Sequence, residues 1–383
     1  MYTFLKLKPI IIICIIDILK TYWYSRLYNF FRTRCSKTLF HLGFRKVRKR
    51  HVSKSPPCYE VERGEVMKKT WYLIIAVILL VIGGIAYGYH EHHKPKTAQE
   101  LKTVRIAYLP ITHALPVFAT KELETPDGPV HVELVKYGSW PELMDALNTG
   151  KVDAAAVLVE LGVKAREQGI DVRAAALGHT EGNIIIVNND INSVQDLKGK
   201  SFAIPHKQST QKILVDLMLE RAGLSEKDVQ IVEMSPPEMP SALAVGQIAG
   251  YSVAEPFGSL ALEMGIGKVF EDPDHLWHDN ICCALVFNGK FVDEHHDIAK
   301  AFTKAYLDAG KYLDEHPEAQ KEISLKYMKF KDPVIERSLQ VIGFGDLALT
   351  EDRYNALVHH MTHIDLIKKV PTYSEFVDTS LLP

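Results

Sequence analysis

The chain has no C-x-x-C, so neither a zinc ribbon nor a thioredoxin-type redox motif is supported. Its five cysteines are scattered as Cys14, Cys35, Cys58 and the adjacent pair Cys282-Cys283. From Met67 onward only that pair remains. Free cysteine suits a buried strand; a Cys282 thiol facing a ligand is the other reading. G-x-S-x-G, H-E-x-x-H, the Walker loop and G-x-G-x-x-G are all missing. Histidines and carboxylates are plentiful, yet none is spaced as an acid–base or metal set. The expectation is a protein that is not an enzyme and has neither cofactor nor metal. Net charge is small too, −2 formally, and hides a strongly basic beginning and an acidic remainder. An acidic body argues against nucleic acid as partner, because phosphates need a basic face.

What the chain does have is one long apolar run and one internal repeat. The run is Thr70–Tyr89, TWYLIIAVILLVIGGIAYGY, which is about the 20 residues a membrane helix needs. Met67-Lys68-Lys69 stand before it. Lysines there favour the cytoplasmic side and open a bacterial export signal. Met67 then reads as the initiator, with residues 62–66 encoding a purine-rich ribosome-binding site. On this reading 1–66 lies ahead of the true start, the other reading being a genuine basic N-terminal extension; 67–89 is a signal or anchor helix and 90–102 a linker. No cysteine stands directly after the run, so a lipoprotein anchor is not supported, and Tyr87 and Tyr89 spoil a small-x-small cleavage site. The body is expected outside the cytoplasm, membrane-anchored through Thr70–Tyr89 or secreted. His90, His92 and His93 read as a solvated juxtamembrane linker rather than as a metal-binding tract.

In the repeat, residues 140–170 and 236–266 align without a gap at an offset of 246 − 150 = 96 positions. Glu142 meets Glu238, Gly150 meets Gly246, Gly162 meets Gly258, and Gly169-Ile170 meets Gly265-Ile266. Each copy reads helix, glycine stop, short apolar strand, turn, second helix. Pro141 and Pro237 suit a first helical turn, where the missing N–H costs nothing. Gly150 and Gly246 suit the left-handed residue just past a helix end. Residues 152–157 and 248–253 read as strands buried on both faces. Two copies imply two α/β lobes, with a ligand cleft at the carboxyl ends of their strands. Residues 103–185 make the first part of lobe one and 186–285 make lobe two. Residues 286–383 return to lobe one and buttress it with helices.

Loop ends facing the cleft supply the candidate site. Thr112 and His113 follow the strand at 104–109. His206, Ser209, Thr210 and Gln211 follow the strand at 200–205 and open a helix, whose first N–H groups attract anions. Ser209 either serves a ligand or caps its helix. Trp140 starts a helix beside the cleft, as an aromatic wall or as a hydrophobic staple. Glu255 follows the second repeat strand, which contains Tyr251. It either accepts from a ligand or ties its own loop through backbone N–H groups. Cys282 completes the set.

These residues carry a resemblance. Ser139-Trp140-Pro141, the Leu147…Gly150…Asp153 unit and Ala203-Ile204-Pro205-His206 with Ser209 belong to it. So do Pro236-Pro237-Glu238-Met239-Pro240, Gly246-Gln247-Ile248 and the stretch from Gly250 to Phe257. Over residues 103–370 the chain resembles the solute-binding proteins of bacterial ABC importers in the nitrate/sulfonate/taurine/bicarbonate group, related to the NMT1/THI5-like pyrimidine-precursor proteins. The resemblance implies a two-lobed, type II periplasmic-binding-protein fold that closes on a small solute and docks on a permease driven by an ATPase. It makes Trp140 and Ser209 ligand neighbours. Two departures weaken the case for a bare inorganic anion. Gln211 stands where the nitrate-like branch usually has histidine, and the return stretch from His278 to Cys283 lacks the usual lysine. A sulfonate or an uncharged nitrogen heterocycle is then as well suited. Two rival readings remain: a pyrimidine-precursor synthase of the THI5 type, and a ligand-sensing module of a membrane receptor.

Overall fold

The computed structural model describes residues 102–383 together with residues 72, 75–77, 79–81, 83 and 84. The described residues before Lys102 are helical, and no described helix is long and apolar enough to cross a membrane. Residues 1–66, most of Thr70–Tyr89 and most of 90–102 lie outside the described residues.

Alternation of apolar strands with helices dictates crossover connections, which lay strands parallel. β1 (Thr103–Tyr108), α1 (Leu115–Glu122), β2 (His131–Lys136), α2 (Trp140–Asn148), β3 (Ala154–Leu158), α3 (Val159–Glu167) and β4 (Val172–Leu177) come first. After β5 (Thr180–Glu181) follow β6 (Asn183–Val187), β7 (Ser201–Ile204), α4 (Thr210–Arg221), β8 (Gln230–Glu233), α5 (Met239–Ala244), β9 (Gly250–Ala254), α6 (Phe257–Glu263), β10 (Lys268–Val269) and β11 (Cys283–Asn288). They form two sheets with one plan. The orders are β2-β1-β3-β11-β4 and β8-β7-β9-β6-β10. In each, three parallel strands are followed by one that runs against them and a fifth that runs with them. The chain changes sheet between β4 and β6 and returns just before β11.

The repeat keeps its register in three dimensions. β9 begins 250 − 154 = 96 positions after β3, and α6 ends 263 − 167 = 96 positions after α3. Both strands are buried along their whole length, which is why they read as apolar runs without alternation. Gly150 and Gly246 take φ of 68° and 71°, a conformation that suits glycine. Gly258 lets α6 lie close to Ile184 of its sheet, and Gly162 on α3 leaves room for the ring of Phe376. A Cβ at Gly162 would stand 2.9 Å from Phe376, and one at Gly258 2.2 Å from Ile184.

Beyond β11, α7 (His296–Glu315) and α8 (Pro317–Tyr327) pack on α1 of the first lobe. Helix α9 (Asp332–Ser338) departs from the expected buttress of lobe one. Its buried Val334 and Ile335 side packs on α6 of the second lobe, and Phe330 just ahead of it meets Phe257 edge-on at 5.4 Å. An apolar helix face settles on whatever apolar surface lies within reach of its linker, and α6 offers one.

Candidate functional site

β1 and β7 hold the same place in their two sheets, and the residues after each reach the other lobe. Thr112 donates from both its N–H and its hydroxyl to the carbonyl oxygen of Glu255, at 3.1 and 2.9 Å. At the start of α4, Thr210 donates its hydroxyl to the Ile281 carbonyl at 2.7 Å and also meets a carboxylate oxygen of Glu160, on α3. One hydroxyl has one proton. With Ile281 receiving it, the Glu160 contact calls for a proton on the carboxyl. Burial supplies the reason, holding Glu160 well above the ordinary carboxylate range, with Cys282 adding to it.

Near this seam, Ser139, Trp140 and Pro141 of lobe one face Pro205, His206 and Glu233 to Pro236 of lobe two across a cavity of about 250 Å³. Trp140 is 3% exposed, and its indole N–H has no hydrogen-bond partner. A buried donor left without an acceptor costs about 1–3 kcal/mol, so the position suits a ligand that brings one. His206 accepts from the Gln208 N–H through Nδ1 at 2.9 Å, and burial pulls its pKa down. Glu233 accepts from the Lys207 N–H at 2.6 Å. Among the described residues the cavity lining includes Glu233 and Glu238 but no lysine or arginine.

The other expected site residues are used by the fold. Ser209 caps α4: its hydroxyl oxygen accepts from the Lys212 N–H at 3.1 Å and donates to the His206 carbonyl at 2.6 Å. Tyr251 lies wholly inside β9 and donates to the Phe257 carbonyl at 2.9 Å. The Glu255 carboxylate accepts from the N–H and hydroxyl of Ser259, at 2.9 and 2.8 Å, and so ties its own loop. Gln211 donates to Asn183 at 2.7 Å and to the Cys282 sulfur at 3.3 Å.

Cys282 and His113 do not stand alone. With His179 and Cys283 they form a buried group whose ligand atoms all lie within 4.8 Å of one another. His113 Nε2 meets the Gly182 carbonyl at 3.0 Å. With that nitrogen donating, Nδ1 turns a lone pair to the sulfurs of Cys282 and Cys283, at 3.6 and 3.5 Å. The sulfurs are 3.8 Å apart, and the His179 ring lies on the His113 ring with centroids 3.5 Å apart. Neither His179 nitrogen makes a hydrogen bond of good geometry, and burial pushes that imidazole down to about 4. Burial opposes ionisation of either thiol. Contacts with Cys283 and His113 nevertheless bring Cys282 well down, while Cys283 goes well up. No metal set was visible in the sequence because no two of these histidines and cysteines share a ligand-like spacing. The set is assembled from the loop after β1 and the two passages between lobes. His179, Cys283 and Glu160 escaped sequence reasoning for that reason.

Comparison with known proteins agrees with the geometry. A crystal structure of the ligand-binding component of an ABC-type import system from Staphylococcus aureus, with zinc bound, is 35% identical. It superposes with a TM-score of 0.70 over 73% of this chain and 97% of that one. The taurine-binding periplasmic protein of Escherichia coli (strain K12) is 30% identical over 184 residues, 46% of this chain and 56% of its own. The nitrate import ATP-binding protein NrtC of Synechocystis sp. is 24% identical over 227 residues, 53% of this chain and 34% of its own. This chain therefore spans about a third of that relative's length. With two lobes of one plan, a cleft between them and a match to the family model over residues 97–326, the chain belongs to the NMT1-like family.

Proposed function

We propose that this chain is the extracytoplasmic solute-binding component of an ABC importer. It captures a small solute by closing two lobes over it and presents the solute to a permease driven by an ATPase. The observation that carries this reading is the pair of hydrogen bonds from Thr112 to the Glu255 carbonyl across the lobes, beside a cavity where the Trp140 N–H is buried and unpaired. A solute that touches both walls binds the closed form better and so shifts the population towards it. Met67-Lys68-Lys69 and the apolar run after them support export, with the run either cleaved or kept as an anchor.

The lining narrows the solute within the class that the relatives bind. Trp140 offers a donor to a sulfonate oxygen. Glu233 and Glu238 attract an ammonium and repel a bare anion. A zwitterion of the taurine kind fits this lining better than nitrate does. Zinc, held by the S. aureus relative, is a further candidate for binding.

Thermal unfolding of the full chain with taurine, an alkanesulfonate, nitrate and bicarbonate tests the reading. A true solute at a hundred times its Kd adds about 2.7 kcal/mol of stability. Taurine is expected to raise the midpoint and nitrate to leave it in place. A midpoint that none of the four moves would rule out this solute class.

A further inference from the structure

We propose that His113, His179, Cys282 and Cys283 bind one thiophilic metal ion, divalent zinc, between the two passages that join the lobes. The proposal rests on distances and does not depend on the transport reading. In a tetrahedral zinc site, with Zn–S about 2.3 Å and Zn–N about 2.0 Å, two thiolates stand about 3.8 Å apart, and a thiolate and an imidazole nitrogen about 3.5 Å. Here the two sulfurs are 3.8 Å apart, and His113 Nδ1 is 3.6 and 3.5 Å from them. These are three edges of one such tetrahedron. A His179 nitrogen supplies the fourth corner, since one ligand atom from each of the four residues falls within 4.8 Å of the others.

The surroundings hold these ligands for metal. A ligating histidine nearly always donates its second ring N–H to a carbonyl or carboxylate. His113 does so to Gly182 at 3.0 Å, which leaves Nδ1 free to ligate. Gly182 itself, at φ 80°, sits where a Cβ would come within 3.1 Å of the His113 ring and 2.7 Å of Ile342. Gln211 of lobe two donates to the Cys282 sulfur at 3.3 Å, a contact that favours a thiolate. His179 is 1% exposed, and neither of its nitrogens makes a hydrogen bond of good geometry. One of them must carry a proton, so without a metal a buried donor and a buried acceptor both lack a well-formed bond. Adjacent residues within a strand point to opposite faces. Cys282 stands just ahead of β11, outside the strand, and its sulfur turns back beside that of Cys283.

The donor set decides the class of ion. Two thiolates and two imidazoles in a tetrahedron suit zinc, whereas magnesium and calcium want oxygen ligands. Two thiolates also cancel the charge of a divalent ion, so the filled site carries no net charge into the interior.

The test uses the full chain with Cys14→Ser, Cys35→Ser and Cys58→Ser, reduced and stripped of metal with a chelator. Titration with zinc against a chromophoric competitor should show one ion per chain. X-ray absorption of the zinc form should count two sulfur and two imidazole neighbours. Cys282→Ser and His179→Gln should each weaken zinc binding by about 100-fold or more. Cobalt should give thiolate charge-transfer absorption that Cys282→Ser loses. A zinc shell without sulfur, or an affinity that neither substitution changes, would overturn the proposal. The absorption measurement needs neither site variant, so it decides the question even where a variant does not fold. Taurine binding to the metal-free chain is followed in parallel. Taurine binding together with no zinc binding removes this site alone, and zinc binding without a response to any solute removes the solute reading alone.

Discussion

Thr112 and Glu255 are joined twice through one oxygen: the N–H of Thr112 reaches the Glu255 carbonyl at 3.1 Å and its hydroxyl reaches it at 2.9 Å, across 143 positions of sequence. The contact links the loop after β1 to the loop after β9, one from each lobe. Thr112→Val keeps the shape and the N–H bond but loses the hydroxyl bond. The carbonyl retains one donor, so the loss is about 1 kcal/mol, or about fivefold in the preference for the closed form. Small-angle scattering should report a larger mean radius for the variant. An unchanged radius would mean that this contact does not govern closing.

Trp140→Phe separates the two roles of that side chain. Phenylalanine keeps an aromatic wall and removes the N–H that has no partner in the protein. Stability of the solute-free chain should change little, because a costly unpaired donor goes with the lost ring volume. Taurine binding should weaken by about tenfold, the worth of one hydrogen bond to a charged group. Calorimetric titration checks this, and an unchanged affinity would take Trp140 out of the solute site.

The matched glycines of the repeat give an ordering. A Cβ at Gly258 would meet Ile184 Cγ2 at 2.2 Å, whereas one at Gly162 would meet the edge of the Phe376 ring at 2.9 Å. Overpacking of a well-filled interior costs about 1–3 kcal/mol. Gly258→Ala should fall at the upper end and Gly162→Ala at the lower, since the Phe376 ring can tilt and a β-branched side chain in a buried strand cannot. Urea unfolding would show the order, and a reversed order would contradict the packing described for α3 and α6.

How much of this was legible in the sequence depends on whether a feature is local. Gly150 and Gly246 could be read as helix stops because a left-handed residue is a property of one position. β3 and β9 could be read because burial on both faces leaves an unbroken apolar run. Trp140 was singled out because it starts a helix beside the expected cleft. Tyr251 was placed with the ligand because its strand leads into Glu255, yet it stands four residues back, wholly inside the sheet, and spends its hydroxyl on Phe257. The histidine–cysteine group was not legible. Gly178 donates to the Cys283 carbonyl at 2.7 Å, and that bond draws His179 to the cysteine pair. It exists only because β11 inserts between β3 and β4, a pairing that no spacing within either segment encodes. The path of α9 to the second lobe is nonlocal in the same sense.

Glu167 gives the chain one acid-sensitive tie. It ends α3, pairs with Lys164 and accepts the N–H groups of Lys368 and Lys369, at 2.7 and 2.9 Å, so it pins the C-terminal segment to that helix. Lys164 first, and then the Lys369 N–H, lower its pKa from 4.5 to about 2. A carboxylate with a folded pKa below its unfolded one adds stability above the unfolded value, and that stability fades as pH falls through the folded one. The contribution is therefore full above about 4.5 and gone below about 2. The group faces solvent on one side, and screening reduces its worth to about 1 kcal/mol. Glu167→Gln should unfold more easily than the parent near pH 7 by that amount, and the two melting curves should converge as the solution is acidified through this window. A gap of constant size across the window would mean that the charge of Glu167 is not what holds residues 368 and 369 to α3.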